Sequence, residues 1–379
     1  MPAQTPGSFI QETGGPHPIQ AVTTSTAAFV GTASTGPLNT VSGPIASVTA
    51  FESLYGNSGH LALSVRTFFA NGGQKLYISR VNSSNAAPGD YARALSLLQP
   101  VGDISTVAAP GSSIASATGV ASVAPIHAAL IKHVSQQPWR FALLDPPPNC
   151  SISDVQSLRA KLDSTNAALY YPWINVANPL VPPTRAAASK VPPSGFLAGI
   201  FARVDSKQGV FKAPANEPLL TAASLEATLT DTDASALNNA GINTLRAFAG
   251  RSILVWGART ISSDSEWKYV NVRRFFNFVE HSIEQGIQWV VFEPNGEDLW
   301  ARVRDTIRNF LFAQWRTGAL LGNKPEDAFF VKCDRTTMTQ NDLDNGRLIC
   351  IIGIAPIKPA EFVIFSIGQW TADAKPPNP

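Results

Sequence analysis

The stretch from Trp267 to Trp370 constrains the fold more than any other part of this 379-residue chain. Val272, Phe275, Phe276, Val279 and Ile283 fall at i, i+3, i+4, i+7 and i+11, and Leu299, Val303, Ile307, Phe310 and Leu311 repeat the stripe, so two amphipathic helices are predicted. Ser263 and Glu266 form a capping-box pattern ahead of the first helix. Asn295, with Glu297 and Asp298, supplies a cap and negative charge to the second. Short apolar runs at Gln288–Phe292, Ala328–Lys332 and Leu348–Ile354 read as strands. A last strand, spanning Glu361, Phe362, Val363, Ile364, Phe365 and Ile367, follows Pro356 and Pro359 with no hairpin partner beside it. Such a strand needs an edge to pair with, and that edge can belong to another molecule.

The rest of the chain divides into recognisable pieces. Residues 1–20 carry four prolines and three glycines, which removes backbone donors and predicts an extended arm. A buried-strand pattern ends at Ala27-Ala28-Phe29-Val30-Gly31. Helical spacing follows from Phe51 to Phe69, stopped by Asn71-Gly72-Gly73, and then the strand Lys75–Val81. From about Asp90 to Val255 strands and helices alternate, as in a sheet with helical crossovers. Within it, Trp139–Leu144 is a continuous apolar run closed by Asp145 and three prolines, the mark of a central parallel strand. Ser151–Leu162 reads as a helix with Ser153 or Asp154 as cap, and a proline-rich loop follows Tyr171, where Arg185 and Lys190 read as solvated.

Composition narrows the function. Charged residues are 15% of the chain against 44% hydrophobic, fewer than the roughly 25% usual in soluble domains, which favours an assembling protein. The net charge of +2 is spread without runs, so no nucleic-acid footprint exists. Cys150, Cys333 and Cys350 have no metal or disulfide spacing and read as small buried apolar residues, and no cofactor is implied. The N-terminus lacks a secretory pattern, and the longest apolar run, Leu348–Ile357, is far short of the about 20 residues that span a bilayer, so a soluble product made in the cytoplasm is expected, without membrane insertion. Phosphate-loop, dinucleotide, zinc-protease and nucleophile-elbow motifs are absent from the sequence, and the Asp342–Gly346 segment departs from a calcium loop by its early glycine. Asp145 at a strand end suggests a subtilisin-type hydrolase, but in the order Asp, His, Ser the one available histidine is His281, on an amphipathic helix.

Several stretches nevertheless resemble one family, the contractile tail sheath proteins of myophages, R-type pyocins and extracellular contractile injection systems. They are Thr5-Pro6-Gly7-Ser8-Phe9-Ile10-Gln11-Glu12, Pro192-Pro193-Ser194-Gly195, Gly209–Asn216, Val255–Thr260, Tyr269–Arg274, Trp289–Asn295 and Pro359–Phe362. Residues 83–125 match nothing in it. The resemblance implies an α/β and α+β architecture: a subtilisin-like α/β outer domain without catalytic residues, and an inner α+β domain. The boundaries expected are an N-terminal arm (1–20), strands lent to the inner domain (21–50), the outer domain (51–258), the inner domain (259–357) and a C-terminal arm (358–379). It implies a homo-oligomer of six subunits per ring, stacked helically around an inner tube protein, with baseplate and terminal cap proteins as further partners. The arms, through Phe9, Ile10 and Gln11 and through Glu361, Phe362, Val363, Ile364, Phe365 and Ile367, would join strands of neighbouring subunits. Arg302, Arg304, Asp305 and Arg308, which lie off the buried stripe of their helix, are the expected tube contacts, a solvated helix face being the competing reading. The subunit would assemble in the producing cell and become part of a tail or tail-like particle. The competing function is a stand-alone subtilase-like hydrolase or an inactive relative.

Overall fold

Apolar runs too continuous to leave one face in water force the first two thirds of the chain into a sheet covered on both sides. The computed structural model describes residues 18–82, 87–114, 120–177 and 189–362. In chain order the elements of this part are β1 (Thr26–Thr32), β2 (Val41–Ile45), α1 (Val48–Tyr55), α2 (Gly59–Ala70), β3 (Lys75–Val81), α3 (Pro88–Leu97), β4 (Thr106–Ala108), α4 (Val120–Gln136), β5 (Phe141–Leu144), α5 (Ile152–Arg159), β6 (Ala167–Tyr171), β7 (Ile174–Val176), β8 (Ser189–Val191), α6 (Pro193–Gln208), β9 (Ala222–Leu225), α7 (Asp231–Asn239), β10 (Ile242–Ala247) and β11 (Ile253–Trp256).

Eight strands form one sheet in the order β11-β10-β6-β5-β4-β1-β3-β2, parallel except at the two edges. Successive residues of each central strand serve opposite cores. Phe29, Phe141, Leu143 and Tyr170 pack under α1, α2 and α6, while Ala28, Val30, Leu144 and Leu169 pack against α3, α4, α5 and α7. Helix α6 is buried along almost its whole length. It approaches α2 so closely at Gly199 that a methyl group there would run into the Phe68 carbonyl. A second sheet, β8-β7-β9, occupies part of the expected proline-rich loop. In it Lys190 is paired, not simply solvated: its ammonium lies 2.7 Å from Glu226. Arg185 lies outside the described residues.

The C-terminal part contains α8 (Val270–Gly286), α9 (Glu297–Arg316), α10 (Pro325–Ala328), β12 (Phe329–Lys332), α11 (Gln340–Asp344) and β13 (Ile351–Ile354). The two predicted stripes are its core: Phe275, Val279 and Ile283 of α8 meet Leu299, Val303, Ile307, Phe310 and Leu311 of α9, with Phe329 and Cys333 beneath the antiparallel β12–β13 ribbon.

Five sequence expectations need correction. Residues 26–45 do not join the C-terminal domain; β1 lies inside the large sheet between β3 and β4 because it is buried on both faces, and β2 forms an edge of the same sheet. Gln288–Phe292 is not a strand. Trp289 and Val290 pack on the core, whereas Val291 and Phe292 stand exposed and Phe292 takes φ 69°, which breaks extension. The Ser263–Glu266 pattern does not cap α8: a separate 3-10 turn, Ser265–Trp267, is capped by Asp264, and α8 starts later after Tyr269 without a side-chain cap. Asn295 does not cap α9 either, since its side-chain oxygen accepts from the Trp300 indole at 2.7 Å and Gly296 occupies the cap position. Similarly, the cap of α5 is Ser151 rather than Ser153 or Asp154, with Asp154 closing the reciprocal bond.

Candidate assembly surfaces

Helix α8 carries a second buried stripe that apolar periodicity does not reveal. Val270, Arg274, Asn277 and His281 recur at i, i+4, i+7 and i+11 and face the α/β domain. Arg274 donates to both carboxylate oxygens of Asp205 on α6, at 3.0 and 2.6 Å, and to the Thr24 carbonyl at 3.1 Å, with its guanidinium over the Phe201 ring. Asn277 donates to Asn166, and His281 stacks on Trp139 at 4.4 Å with its ring nitrogen shared with Gln285. The incoming N-terminal segment crosses the same seam: Ile19 covers Gly286 and the Val22 amide donates to Ser282. Both domains are therefore tied to one helix.

The C-terminal segment returns to this joint. Glu361 accepts from Arg259 through both oxygens, at 2.8 and 2.6 Å, and from the Tyr269 hydroxyl at 3.2 Å, with Lys268 3.4 Å away. Burial acts to raise its pKa, but the Arg259 and Lys268 cations outweigh it and hold the carboxyl below its usual value. Arg259 is in turn fixed to the Asn238 carbonyl and, through its backbone, to the buried Asn243. Glu361 is thus an intrachain anchor and not part of a strand, contrary to the sequence expectation; Phe362 beyond it is 72% exposed. Val363, Ile364, Phe365 and Ile367, like Phe9, Ile10 and Gln11, lie outside the described residues.

Close by in sequence is an open ladder. β12 and β13 form a two-stranded sheet that hides Phe329 and packs Val331, Ile352 and Ile354 against the core while Phe330 and Ile351 face outward. Residues 319–321 pair only with the extension of β13, through Leu321 to Ala355 and Ile357 to Ala319. Among the described residues, the outer edges of Phe329–Lys332 and Ile351–Ile354 have no ladder partner. Two strands alone are marginal in water, and unpaired edges accept added strands.

The four expected charges of α9 divide between two surfaces. Asp298, Arg302, Asp305, Asn309 and Arg316 recur at i, i+4, i+7, i+11 and i+18 and are all exposed, so they form the outward stripe. Arg302 there leans over Trp289 and lies 3.5 Å from Glu293. Arg304 and Arg308 instead overlook β12, lining an opening with Pro325, Phe329 and Phe330.

The one chemically suggestive cluster is closed. At the end of β5, Asp145 accepts from the Ser194 amide at 2.8 Å and from its hydroxyl at 2.5 Å, capping α6. Burial pushes the Asp145 carboxyl up to about 7 against the pull of these bonds, and it pulls neighbouring His127 down to about 4. Asp145, Ser194 and His127 are 3%, 1% and 1% exposed, so no substrate reaches the hydroxyl. A search keyed to the order Asp, His, Ser passes over Ser194 because no histidine separates the two in sequence. His281 belongs to the interdomain seam. Among the described residues no group of metal-ligating side chains occurs, and no helix is long and apolar enough to cross a membrane.

The chain as a whole is similar to known proteins. The phage tail sheath protein central domain matches residues 86–261 and the phage tail sheath C-terminal domain matches residues 262–369. The helical sheath of the anti-feeding prophage in its contracted state superposes with a TM-score of 0.80 at 31% identity, over 97% of this chain and 99% of that one. The sheath complex of an extracellular contractile injection system, PVC, in its contracted state gives 0.78 at 30%, over 98% of each chain. A prophage major tail sheath protein of Pseudomonas aeruginosa (strain UCBPP-PA14) is 30% identical over 196 residues, 49% of each chain; the match thus spans about half the length of that curated relative. The chain belongs to the contractile tail sheath family.

Proposed function

We propose that this chain is a structural sheath subunit that stacks as hexameric rings around an inner tube and contracts to drive the tube through a target envelope. The observation that carries this is the likeness over 97% of the chain to a helical contractile sheath, together with a β12–β13 ribbon whose edges are open among the described residues. The N-terminal arm (1–20) and the C-terminal arm (358–379) complete that ribbon in neighbouring subunits. Burying Phe362, Val363, Ile364, Phe365 and Ile367 in a neighbour contributes about 1.5 to 3 kcal/mol each if covered, with ladder hydrogen bonds added. The outward α9 stripe meets the tube through exposed charges worth about 0 to 1 kcal/mol each. Strand links therefore persist through contraction while the polar tube contacts release.

The α/β domain serves as a subtilisin-like outer body without protease chemistry, Ser194 and Asp145 being used to cap its central helix. Baseplate and cap proteins terminate the stack, and assembly takes place inside the producing cell. Co-expression with the tube protein and electron microscopy tests the reading: striated tubes are expected, and only soluble single subunits would refute it. Reversing Arg302 and Arg316 to Glu should reduce tube-templated assembly more than reversing Arg304 and Arg308, and equal effects would remove the assignment of the outward stripe.

A further inference from the structure

Cys333 and Cys350 lie at the C-terminal core, and both are free thiols. The ladder fixes their relation. Phe329 pairs with Ile354 and Lys332 with Ile351, so one further step of the same register sets Cys333 directly opposite Cys350. The type of pair follows from alternation along an antiparallel ribbon. The Ala355 amide donates to the Ala328 carbonyl at 2.8 Å, which makes Ala328 and Ala355 a hydrogen-bonded pair. Five steps along, Cys333 and Cys350 occupy a non-hydrogen-bonded position, where opposed Cα atoms stand about 4.5 Å apart and side chains approach most closely. Disulfides span about 4.4 to 6.8 Å between Cα atoms, so the ribbon already holds the separation that a bond requires.

The surroundings favour reaction at this pair. Cys333 is 1% exposed at the base of an opening it shares with Arg304, whereas Cys350 is only half-buried and can meet a reagent. A hydrogen bond between the two sulfurs lowers the Cys333 pKa, with a smaller contribution from Arg304, and raises that of Cys350, so the two thiols lie within reach of one another and share a proton. Cys150 differs: burial pushes its thiol up to about 12 and no second cysteine faces it.

We propose that Cys333 and Cys350 are a dithiol site that closes to an intrachain disulfide when the protein meets a small-molecule disulfide oxidant. When the proton shared by the pair lies on Cys333, the half-exposed Cys350 thiolate attacks the oxidant, breaking its disulfide, forming a mixed disulfide and releasing one thiolate that takes a proton from solvent. The Cys333 thiolate then attacks the Cys350 sulfur, and the second thiol leaves, taking a proton from solvent. Two protein thiols are oxidised and one reagent disulfide is reduced to two thiols. The bond staples the open end of the β12–β13 ribbon and closes the 334–349 loop. If that ribbon carries neighbouring arms, which rests on the proposed function, oxidation reinforces the link that survives contraction.

The purified full chain is incubated with oxidised glutathione, quenched with a maleimide, and analysed by peptide mass before and after reduction. The expected result is one cross-linked peptide joining Cys333 to Cys350, Cys150 still alkylated, and titratable thiols falling from three to one. The rate should not change when protein concentration is varied by about tenfold, because the second step is intramolecular. Cys350→Ser, a change at a half-buried position, should leave the fold intact by circular dichroism and abolish the cross-link. Three alkylatable thiols after prolonged oxidation, a stable glutathione adduct on Cys350 without cross-link, or bonds between chains would each overturn the proposal. These readouts concern the subunit alone and so fail or succeed independently of sheath assembly.

Discussion

Asp205→Ala leaves the Arg274 guanidinium in a site 3% exposed, with the Thr24 carbonyl and the Phe201 face as its remaining contacts. Removing one partner of a buried ion pair costs about 3 to 5 kcal/mol, because the surviving charge is neither solvated nor compensated. The loss falls on the seam between α6 and α8, not on either core. Hydrogen exchange reads such local opening without assuming two-state unfolding. At about 1.4 kcal/mol per factor of ten, α8 amides should exchange about a hundredfold to a thousandfold or more faster, while β5 and β6 stay protected. Asp205→Ala combined with Arg274→Met removes both charges and lays a thioether on Phe201, so most of the protection should return. Unchanged α8 exchange in Asp205→Ala, or a double variant no better protected than the single one, would refute the claim that this pair couples the domains.

Asp145→Asn tests the closed cluster by pH. The Asp145 carboxyl is raised to about 7 when folded, so its contribution to stability is fully present below the unfolded value near 4 and is lost as pH rises through 7. About three units correspond to about 4 kcal/mol, so Asp145→Asn should gain on the wild type by about that much between pH 4 and pH 8 in urea unfolding. His127 and His133, both pulled down to about 4 by burial, act with the opposite sign, losing stability as pH falls, and cancel in the comparison. A constant difference across that range would show that Asp145 stays charged. Glu361→Gln should lower stability by about 1 to 3 kcal/mol, since Arg259 keeps a hydrogen bond and loses its countercharge. Proteolysis should then begin nearer Pro359 than in the wild type, and an unchanged cleavage pattern would remove the anchor role.

Legibility in the sequence followed burial. The stripes of α8 and α9 and the runs of β5 and β6 were readable because one physical requirement, hiding apolar surface, sets their spacing. Three features escaped the same reasoning. The second stripe of α8 is polar and buried, so apolar spacing does not announce Arg274, Asn277 and His281, and only their partners on α6 and beside β5 and β6 reveal it. The resemblance lends β1 to the C-terminal domain, and its own residues cannot correct this, because a short buried strand suits any covered sheet and only pairing with β3 and β4 decides. Glu361 read as the first residue of a strand, since nothing local announces that Arg259 and Lys268 will meet it. The two cysteines have no spacing signature because their opposition comes from the register of a ribbon whose strands are far apart in sequence.

The central claim is that the terminal arms carry durable links between subunits while α9 makes releasable ones with the tube. The direct measurement is electron microscopy of the full chain and of a chain ending at Phe362, each co-expressed with the tube protein. The truncated chain retains the Glu361 anchor and both cores, so it should purify as a folded subunit by circular dichroism yet form no long sheath, whereas the full chain should form striated tubes. Normal sheaths from the truncated chain would contradict the account.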